Sequence, residues 1–552
     1  MKIAYSSHLK IFFIIFACLL FAHFPSFTGD FLKQDDWNAT FWNLSIISSH
    51  PEFYNATIEL FRPVSIIIIL ISDYISYNFE NAKFIRFLTV TLMSLSAFIT
   101  YAWQLKLKPD NIFFALAFSI IIFCLPASQL HSSTTTYIHM VIAIICGQLG
   151  MIYFHKAKLE EILKKNQKKF LLYSSVFIML SLLNYPPATM FYFLFLLIFF
   201  LLNINESKMK HKDIYLFMLK ATLFIFFLML IYFFLAKFIH YILDIKPKLH
   251  GGEIRTVHID WGIYNKLSHI YTMIKASLSS INLASYHLVT LKDVPMNLFL
   301  FFFTVLSLFY GLFVVYIKNL GKEKNIIKIS AYVLLSFIII LLLLILSYFP
   351  LLPLDVKHPI WTTFRYTIVT APFFIYLLIW SIINFKLPFI NSFFNVSKKF
   401  LISFLLFYAV YKSNYVIGNF IVSPHVTELS YIEENINKKF LNGYNDSSNK
   451  KIIVIRSSKP VYELYNDYDM RINYSNNWLI SATIYVLRKY NIDIVQTHKV
   501  MKWEEENIHI KSKWGEIISV NSINEIDFKY SQDDIIINMN NINNAILLEN
   551  LK

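Results

Sequence analysis

The stretch ATMFYFLFLLIFFLLNINESKMKHKDIYLFMLKATLFIFFLMLIYFFLA, residues 188–236, decides the fold class. Two apolar runs, at 188–203 and 214–236, flank a short polar segment that carries three lysines. A helix needs about 20 apolar residues to cross a bilayer. The two runs therefore predict membrane-spanning helices joined by a lysine-rich loop.

The composition of the whole chain also indicates a membrane protein. Of the 552 residues, 56% are hydrophobic and only 15% are charged, and the mean hydropathy is +0.52. A soluble protein has roughly a quarter of its residues charged, so this deficit predicts a chain that is solvated mainly by lipid. The net charge of +15 lies largely in short loops between apolar runs. That pattern fixes membrane orientation and does not indicate a nucleic-acid partner.

The apolar runs predict about eleven membrane-spanning helices. The first run follows Lys2 and Lys10, and no small-residue cleavage site comes after it, so we interpret it as an uncleaved span. The predicted spans lie near residues 11–28, 85–104, 111–127, 137–154, 170–184, 188–203, 214–236, 296–317, 327–347, 365–383 and 400–419.

The charge of the loops predicts the orientation. If the amino terminus is cytoplasmic, the five short cytoplasmic loops carry seventeen lysines, whereas the short outer connections at 128–136 and 185–187 carry no Lys or Arg. Short loops with an excess of positive charge stay in the cytoplasm. Residues 64–71 are apolar enough to begin a further span, but counting them would invert every later loop. We therefore predict interfacial or partly inserted helices at 41–80.

Three polar regions then face the outer side, namely residues 29–83, 237–295 and 422–552. The last of these regions is rich in Asn, Asp, Glu and Lys, with a predicted strand at 451–456, a helix at 479–490 and a second strand at 492–496. The sequence thus predicts an α-helical polytopic membrane domain at 1–421 and a small periplasmic α/β domain at 422–552.

Two adjacent acids open the first outer region, in the sequence Lys33-Gln34-Asp35-Asp36-Trp37. A carboxylate beside the membrane can accept a proton from a hydroxyl that is to react. Asp35 and Asp36 are therefore candidate general bases, or ligands of a cation. The alternative is an ordinary helix-capping Asp in a solvated loop.

Cationic side chains stand at two other outer positions. Arg62 precedes Pro63 at the start of an apolar helix, and Lys357, His358 and Arg365 crowd the stretch before the tenth span. A guanidinium can hold a phosphate bidentately, so these groups suit a lipid-linked phosphate at headgroup depth. The alternative is interfacial anchoring, which is common at membrane borders.

A tyrosine and two histidines complete the candidate residues. Tyr185 lies in the sequence Asn-Tyr-Pro-Pro (184–187), which predicts a tight turn and also suits the lining of a sugar site. His131 and His139 border the Ser- and Thr-rich connection, but they are eight residues apart. Helical metal ligands are spaced i, i+4, so we interpret the histidines as polar lining and predict no metal site.

The order of these features resembles the GT-C class of membrane glycosyltransferases. Within that class it most resembles the bacterial glucosyltransferase type II family, which adds side-branch sugars to O-antigen. The resemblance covers roughly residues 1–420 and rests on Asp35-Asp36-Trp37, Arg62-Pro63, the Asn-Tyr-Pro-Pro turn and Arg365-Tyr366. Many members carry a further acid in the second outer loop, which residues 128–136 lack.

The resemblance implies a polyprenyl-phosphate hexose donor at the outer face of the bacterial inner membrane, and a glycan hydroxyl as acceptor. It implies no cofactor and no metal, with a donor synthase and a flippase as partners. The residues implied are Asp36 or Asp35 as the base, Arg62, Arg365, Lys357 and His358 for the donor phosphate, and Trp37, Tyr185 and Tyr366 for substrate lining.

Two other functional classes fit the same pattern. A lipid-linked glycan flippase or an O-antigen polymerase also has many spans, but a flippase needs ionisable residues inside the bundle. Charge within the predicted spans is scarce, and Lys220 lies near the inner edge. A non-enzymatic assembly protein would act through its outer domain. The sequence has no Walker loop, so ATP-driven transport is not indicated.

Overall fold

The protein, seen in a computed structural model, is mainly helical. The structure describes residues 5–32, 61–76, 79–163, 166–206, 210–242, 294–320, 326–348, 367–384 and 391–440, five strands in the tail, and isolated positions elsewhere. The α-helices within these ranges are α1 (Tyr5–Ala22), α2 (Phe24–Thr28), α3 (Pro63–Ile75), α4 (Phe79–Leu107), α5 (Ile112–Ile121), α6 (Pro126–Ser133), α7 (Ile138–Leu163), α8 (Gln167–Asn184), α9 (Pro186–Thr189), α10 (Phe191–Glu206), α11 (His211–Ile242), α12 (Val294–Leu320), α13 (Ile326–Ser347), α14 (Thr370–Asn384), α15 (Asn391–Val416) and α16 (Ser423–Phe440).

Several of these helices can cross a membrane. By length and composition, six stretches within the described ranges qualify, or seven if one bent pair forms a single span. The six are Glu80–Leu107, Thr135–Lys158, Pro186–Asn205, His211–Ile242, Ile326–Ser347 and Ser397–Asn437. The bent pair consists of α5 and α6, whose axes meet at 58°. The chain is a multi-pass helical membrane protein.

Each of the eleven predicted spans overlaps a described helix, but not all of these helices reach the length and hydropathy of a span. The number eleven therefore stays a prediction, and so does the sidedness. In the region at 41–80, the structure describes α3, which has 13 residues. At 1.5 Å per residue α3 is about 20 Å long, shorter than the hydrocarbon core of about 30 Å.

Exposed apolar side chains follow single faces of the long helices. On α11, Leu219, Leu223, Phe227, Leu230 and Phe234 recur every three or four residues, and they are 54–66% exposed. Apolar surface in water is unfavourable by roughly 25 cal/mol per Å². This stripe is therefore the side of α11 that faces lipid.

Helix α10 lies at the centre of the bundle. It is apolar on every side, and residues 191–201 are each at most 1% exposed, as expected for such a helix. Two glycines let α7 approach its neighbours closely. A Cβ on Gly147 would lie 2.9 Å from the Thr189 carbonyl oxygen, and one on Gly150 would lie 2.5 Å from Cγ1 of Ile178. The connection between α8 and α9 is thereby held against α7.

The start of the first outer region is anchored on α4. Arg86 is fully buried, and its Cζ lies 3.9 Å from the centroid of the Phe31 ring. Arg86 donates hydrogen bonds to the carbonyl oxygens of Phe31 at 2.8 Å and Ser26 at 3.4 Å. The chain is therefore fixed as far as Leu32, which is also buried, directly before the segment that contains Asp35.

Replacing Arg86 with Met is expected to lower the free energy of unfolding by about 2–4 kcal/mol, because a buried carbonyl loses a charged donor. Thermal unfolding in detergent measures the effect as a lower midpoint. Arg86→Lys keeps the charge but reaches fewer carbonyls, so it should fall between the wild type and Arg86→Met. A midpoint unchanged in Arg86→Met would contradict the anchoring role.

Five strands of the tail form a mixed sheet. They are β1 (Lys451–Ile455), β2 (Lys499–Val500), β3 (Ile508–Ser512), β4 (Gly515–Val520) and β5 (Ile535–Asn538), in the order β2-β3-β4-β1-β5. β1 is parallel to β4 and β5, whereas β3 is antiparallel to β2 and β4. β1 lies where the sequence predicts a strand, and the strand predicted at 492–496 lies outside the described residues.

The predicted domain boundary at 421/422 falls inside a continuous helical stretch. Helix α15 passes through a π-helical segment (Ile417–Val422) directly into α16. Helical positions are also described at Ala482, Thr483, Tyr485 and Val486, within the helix predicted at 479–490. A separate outer domain at 422–552 stays a prediction.

Candidate functional site

Arg62 lies at the amino terminus of α3. It is the residue that precedes the helix, and Pro63 occupies the first turn. Ser65 Oγ donates a hydrogen bond to the Arg62 carbonyl at 2.8 Å. The first N–H groups of a helix have no intrahelical acceptor, and the helix dipole is positive there. The Arg62 side chain therefore starts from a position that already favours an anion.

The guanidinium of Arg62 rests on Tyr185. Its Cζ lies 4.9 Å from the centroid of the tyrosine ring. Tyr185 is 2% exposed and adopts an extended conformation between α8 and α9, in the tight connection predicted at 184–187. Arg62 Nε is buried and has no hydrogen-bond partner among the described residues. The ring holds one face of the cation, which leaves the donor edge of the guanidinium for a ligand.

The residue before Arg62 is held by α11. Phe61 has a φ of 51°, which is unusual for a bulky side chain. Its ring centroid lies 5.7 Å from that of Tyr232 and 6.0 Å from that of His240. Tyr232 Oη also donates to the Phe61 carbonyl at 3.2 Å. Such strain persists only where the surroundings enforce it, so α11 and Tyr185 together fix the position of Arg62.

A buried polar segment lies beside this arginine. From the sequence we expect an outer connection at 128–136, but in the structure these residues are each at most 4% exposed. They form α6 and a 3₁₀ turn (Thr135–Tyr137). The burial of these residues has a local cause. Pro126 begins a new helix immediately after the break that ends α5. The segment therefore turns into the bundle instead of crossing its surface.

This polar segment lies between the turn that follows α1 and the Arg62–Tyr185 pair. On one side, Ser132 Oγ lies 2.8 Å from Nδ1 of His23, in the turn between α1 and α2. On the other side, Nδ1 of His139 lies 2.5 Å from the Thr136 carbonyl oxygen. The His139 ring meets the Tyr185 ring edge to face at 5.9 Å. The anchored start of the first outer region and the Arg62–Tyr185 pair thus belong to one end of the bundle.

The two histidines considered as polar lining do not converge. The His131 ring contacts Tyr137, whereas the His139 ring contacts Tyr185. Within the part of the chain that the structure describes, no three His, Cys, Asp or Glu side chains are grouped closely enough to hold a metal ion. The described polar groups at this end include two arginines, Arg62 and Arg86, together with histidines, hydroxyls and amides.

Comparison with known proteins assigns no family to the chain. No family model and no curated protein matches it. A similar solved structure is the archaeal oligosaccharyltransferase AglB from Archaeoglobus fulgidus, in complex with an inhibitory peptide and a dolichol-phosphate. The TM-score is 0.38 and the identity 12%, and the match covers 86% of this chain but only 63% of that one. A likeness at this level establishes neither fold nor activity.

Of the predicted site residues, the structure describes Arg62 and Tyr185 and brings them into contact. The others lie outside the described residues, so their roles stay predictions: Asp35, Asp36, Trp37, Lys357, His358, Arg365 and Tyr366. The buried polar segment at 128–136 is the feature that sequence reasoning missed. Its signal was a run of Ser, Thr, Gln and His that contains no full charge and follows a proline.

Proposed function

We propose that this protein transfers a hexose, such as glucose, from a polyprenyl-phosphate donor to a hydroxyl of a cell-surface glycan such as O-antigen, as a membrane glycosyltransferase of the GT-C type. The placement of Arg62 carries the proposal. Its guanidinium stands at a helix amino terminus, stacks on Tyr185, and keeps a buried Nε that has no partner among the described residues. These features favour a phosphate over a neutral ligand.

The proposed reaction is a single displacement with inversion. The acceptor hydroxyl oxygen attacks the anomeric carbon, the bond from that carbon to the phosphate oxygen breaks, and the hydroxyl proton passes to a carboxylate. Negative charge grows on the departing phosphate, and a fixed cation stabilises it in the transition state. The proposed cations are Arg62, Arg365, Lys357 and His358, and the proposed base is Asp36 or Asp35. Trp37, Tyr185 and Tyr366 are proposed to line the sugar.

The proposed location follows from the charge of the loops. The chain would lie in the bacterial inner membrane with a cytoplasmic amino terminus and a periplasmic tail. The donor has to reach the outer face before it reacts, so a donor synthase and a flippase are the proposed partners. The reaction as written uses no metal, and transfer should therefore persist in the presence of a chelator.

The decisive experiment is transfer by the purified full chain in liposomes that contain a polyprenyl-phosphate hexose and an acceptor glycan. Mass spectrometry should show glycan products that increase by single hexose units. Increments of a whole repeat unit would instead indicate a polymerase, and movement of the donor across the bilayer without transfer would indicate a flippase. Either of these results would overturn the proposal.

Truncation tests the non-enzymatic alternative. Because α16 continues from α15, the cut belongs after Phe440 and not at 421. An assembly protein that acts through its tail would lose all function without residues 441–552. Transfer that persists in the truncated chain would exclude that alternative.

Replacing Tyr185 with Leu is expected to lower kcat/KM for the donor about 5- to 30-fold, because a partly buried cation–π contact contributes about 1–2 kcal/mol. Tyr185→Phe keeps the ring beneath Arg62 and should lose much less. The two variants should be compared in the same transfer assay. Equal losses in both would mean that the hydroxyl matters and not the stacking.

A further inference from the structure

A small cleft lies at the opposite end of the bundle from Arg62. Tyr185 is close to the start of α10, whereas the cleft lies at its end, beside Leu202 and Asn205. The 16 residues of α10 separate the two sites by about 24 Å along the helix. In the predicted orientation this end carries the lysine-rich loops. The cleft is lined by Gln104, Asn111, Phe114, Ala115, Leu202, Asn205, Tyr376, Ile379, Trp380, Ile383 and Asn384.

The carbonyl groups around the cleft already have donors. Asn384 Nδ2 donates to the Trp380 carbonyl at 2.8 Å, and Lys398 Nζ donates to the Ile383 carbonyl at 3.0 Å. At the end of α10, Asn203 Nδ2 donates to the Phe199 carbonyl at 2.8 Å. Of these acceptors, only Ile383 belongs to the last four residues of its helix, so Lys398 caps a terminal carbonyl of α14 and partly offsets the negative end of that helix.

One donor in the wall of the cleft differs from the others. The amide of Asn205 donates to Asn384 Oδ1 at 3.1 Å and that of Gln104 to Ser119 Oγ at 3.4 Å, whereas the indole of Trp380 has no such partner in the part of the chain that the structure describes. Trp380 is 2% exposed, and its Nε1 has no hydrogen-bond partner among the described residues. A Cβ on Gly311 would lie 3.0 Å from Cζ3 of Trp380, on the far side of the indole, so the N–H edge is directed away from α12. An indole N–H can only donate. A buried donor left unpaired is unfavourable, which indicates an acceptor that belongs in the cleft.

The amino terminus of α5 supplies further donors. Asn111 precedes this helix and makes no side-chain capping hydrogen bond. The first N–H groups of α5 therefore lack an intrahelical acceptor and an Asn cap, and the positive end of the helix dipole lies at the cleft. None of the described side chains that line the cleft is acidic. Two independent features thus call for the same kind of ligand atom, an oxygen that accepts hydrogen bonds.

The size of the cleft limits what can enter. The centre of a water-sized group can occupy only about 20 Å³ of the cleft, although its total empty space, open solvent included, is about 400 Å³. A cleft of this size holds about one water-sized atom group. A ligand can therefore insert a single oxygen and keep its bulk at the mouth. Phe114, Ile379 and Ile383 make part of the wall apolar.

We propose that this cleft binds one oxygen of a phosphate group, which accepts the Trp380 Nε1–H and the free N–H groups of α5. The phosphate belongs to the headgroup of a membrane phospholipid or is free inorganic phosphate. Lys398, which is bonded to the lining residue Ile383, adds positive charge beside the mouth. This inference does not depend on the proposed sugar transfer.

The test titrates the delipidated full chain in detergent with three probes. The probes are a short-chain phosphatidylglycerol, the diacylglycerol with the same chains, and inorganic phosphate. Native mass spectrometry counts bound lipid, and thermal unfolding reports stabilisation by phosphate. Trp380→Phe removes the N–H donor and should weaken binding about tenfold, as expected for a hydrogen bond to a charged oxygen. Trp103→Phe is the matched control, because that buried indole already donates to the Phe195 carbonyl.

Each outcome either supports or contradicts the binding of a phosphate oxygen in the cleft. Binding of phosphatidylglycerol but not of diacylglycerol, weakened in Trp380→Phe only, supports a lipid phosphate. Stabilisation by inorganic phosphate alone, with the same dependence on Trp380, supports free phosphate. Equal binding of the two lipids with no effect of phosphate would overturn the proposal and leave a site for water. If Trp380→Phe does not fold, Asn111→Asp carries the same comparison, because it places a negative charge at the amino terminus of α5 and should weaken phosphate binding.

Discussion

Replacing Arg62 with Ala is expected to lower the rate of hexose transfer by about 100- to 1,000-fold, the effect of removing one pre-organised group that stabilises developing charge. The loss should fall mainly on kcat, because the phosphate gains negative charge as the glycosidic bond breaks. Single-turnover transfer at saturating donor measures it. Arg62 is well suited to this test, because Tyr185 and the Phe61 contacts hold it in one position.

Arg62→Lys is the matched variant for this prediction. It keeps the positive charge at the amino terminus of α3 but lacks the planar fork that binds two phosphate oxygens and stacks on a ring. We expect activity between those of the wild type and Arg62→Ala. Full activity in Arg62→Lys would reduce the role of Arg62 to that of a point charge. Full activity in Arg62→Ala would show that Arg62 has no role in the transfer reaction.

Neutralising the two adjacent acids of the first outer region, as Asp35→Asn with Asp36→Asn, is expected to lower transfer by about 100- to 10,000-fold, the usual contribution of a general base. The single variants assign the base, because only one carboxylate accepts the proton. The same transfer assay, run across pH, should show that the loss of activity at low pH, where a carboxylate base becomes protonated, disappears with the base. Undiminished transfer in the double variant would eliminate the proposed base.

The anchoring of the preceding chain supports this choice of acids. Leu32 is buried and follows the Phe31 contact with Arg86. The described chain is therefore held in place up to the fourth residue before Asp36. Asp30→Asn is a suitable control in the same region. Asp30 is an exposed carboxylate 2.6 Å from Lys83, and a surface pair of this kind contributes little, so transfer should be unchanged.

The sequence was most informative where apolar length or a rigid residue decided the outcome. The runs at 188–203 and 214–236 predict helices that the structure contains as α10 and α11. The Asn-Tyr-Pro-Pro segment predicts a tight turn, and Tyr185 lies extended between two helices there. These predictions depend only on the residues of each segment, because a proline restricts its own φ and a helix that is apolar on every side is buried.

The contacts that define the site could not be read from the sequence. The Arg62–Tyr185 pair joins residues that are far apart in the chain, and the burial of 128–136 depends on where α3, α4 and α7 pack. A polar run without charge reads as a surface loop when considered alone. It becomes a core element only when partners such as His23 and Ser72 satisfy its hydrogen bonds.

The unbroken passage from α15 to α16 has a mechanical consequence. Helical structure continues from Asn391 to Phe440, a run about 75 Å long at 1.5 Å per residue, more than twice the hydrocarbon thickness of about 30 Å. A helix of this kind transmits torsion, because each residue advances by about 100° around the axis. Inserting or deleting one residue within the regular turns of α16 would therefore rotate everything beyond it by more than a quarter of a turn. The number of residues in this continuous helix therefore sets the direction in which the chain continues after Phe440.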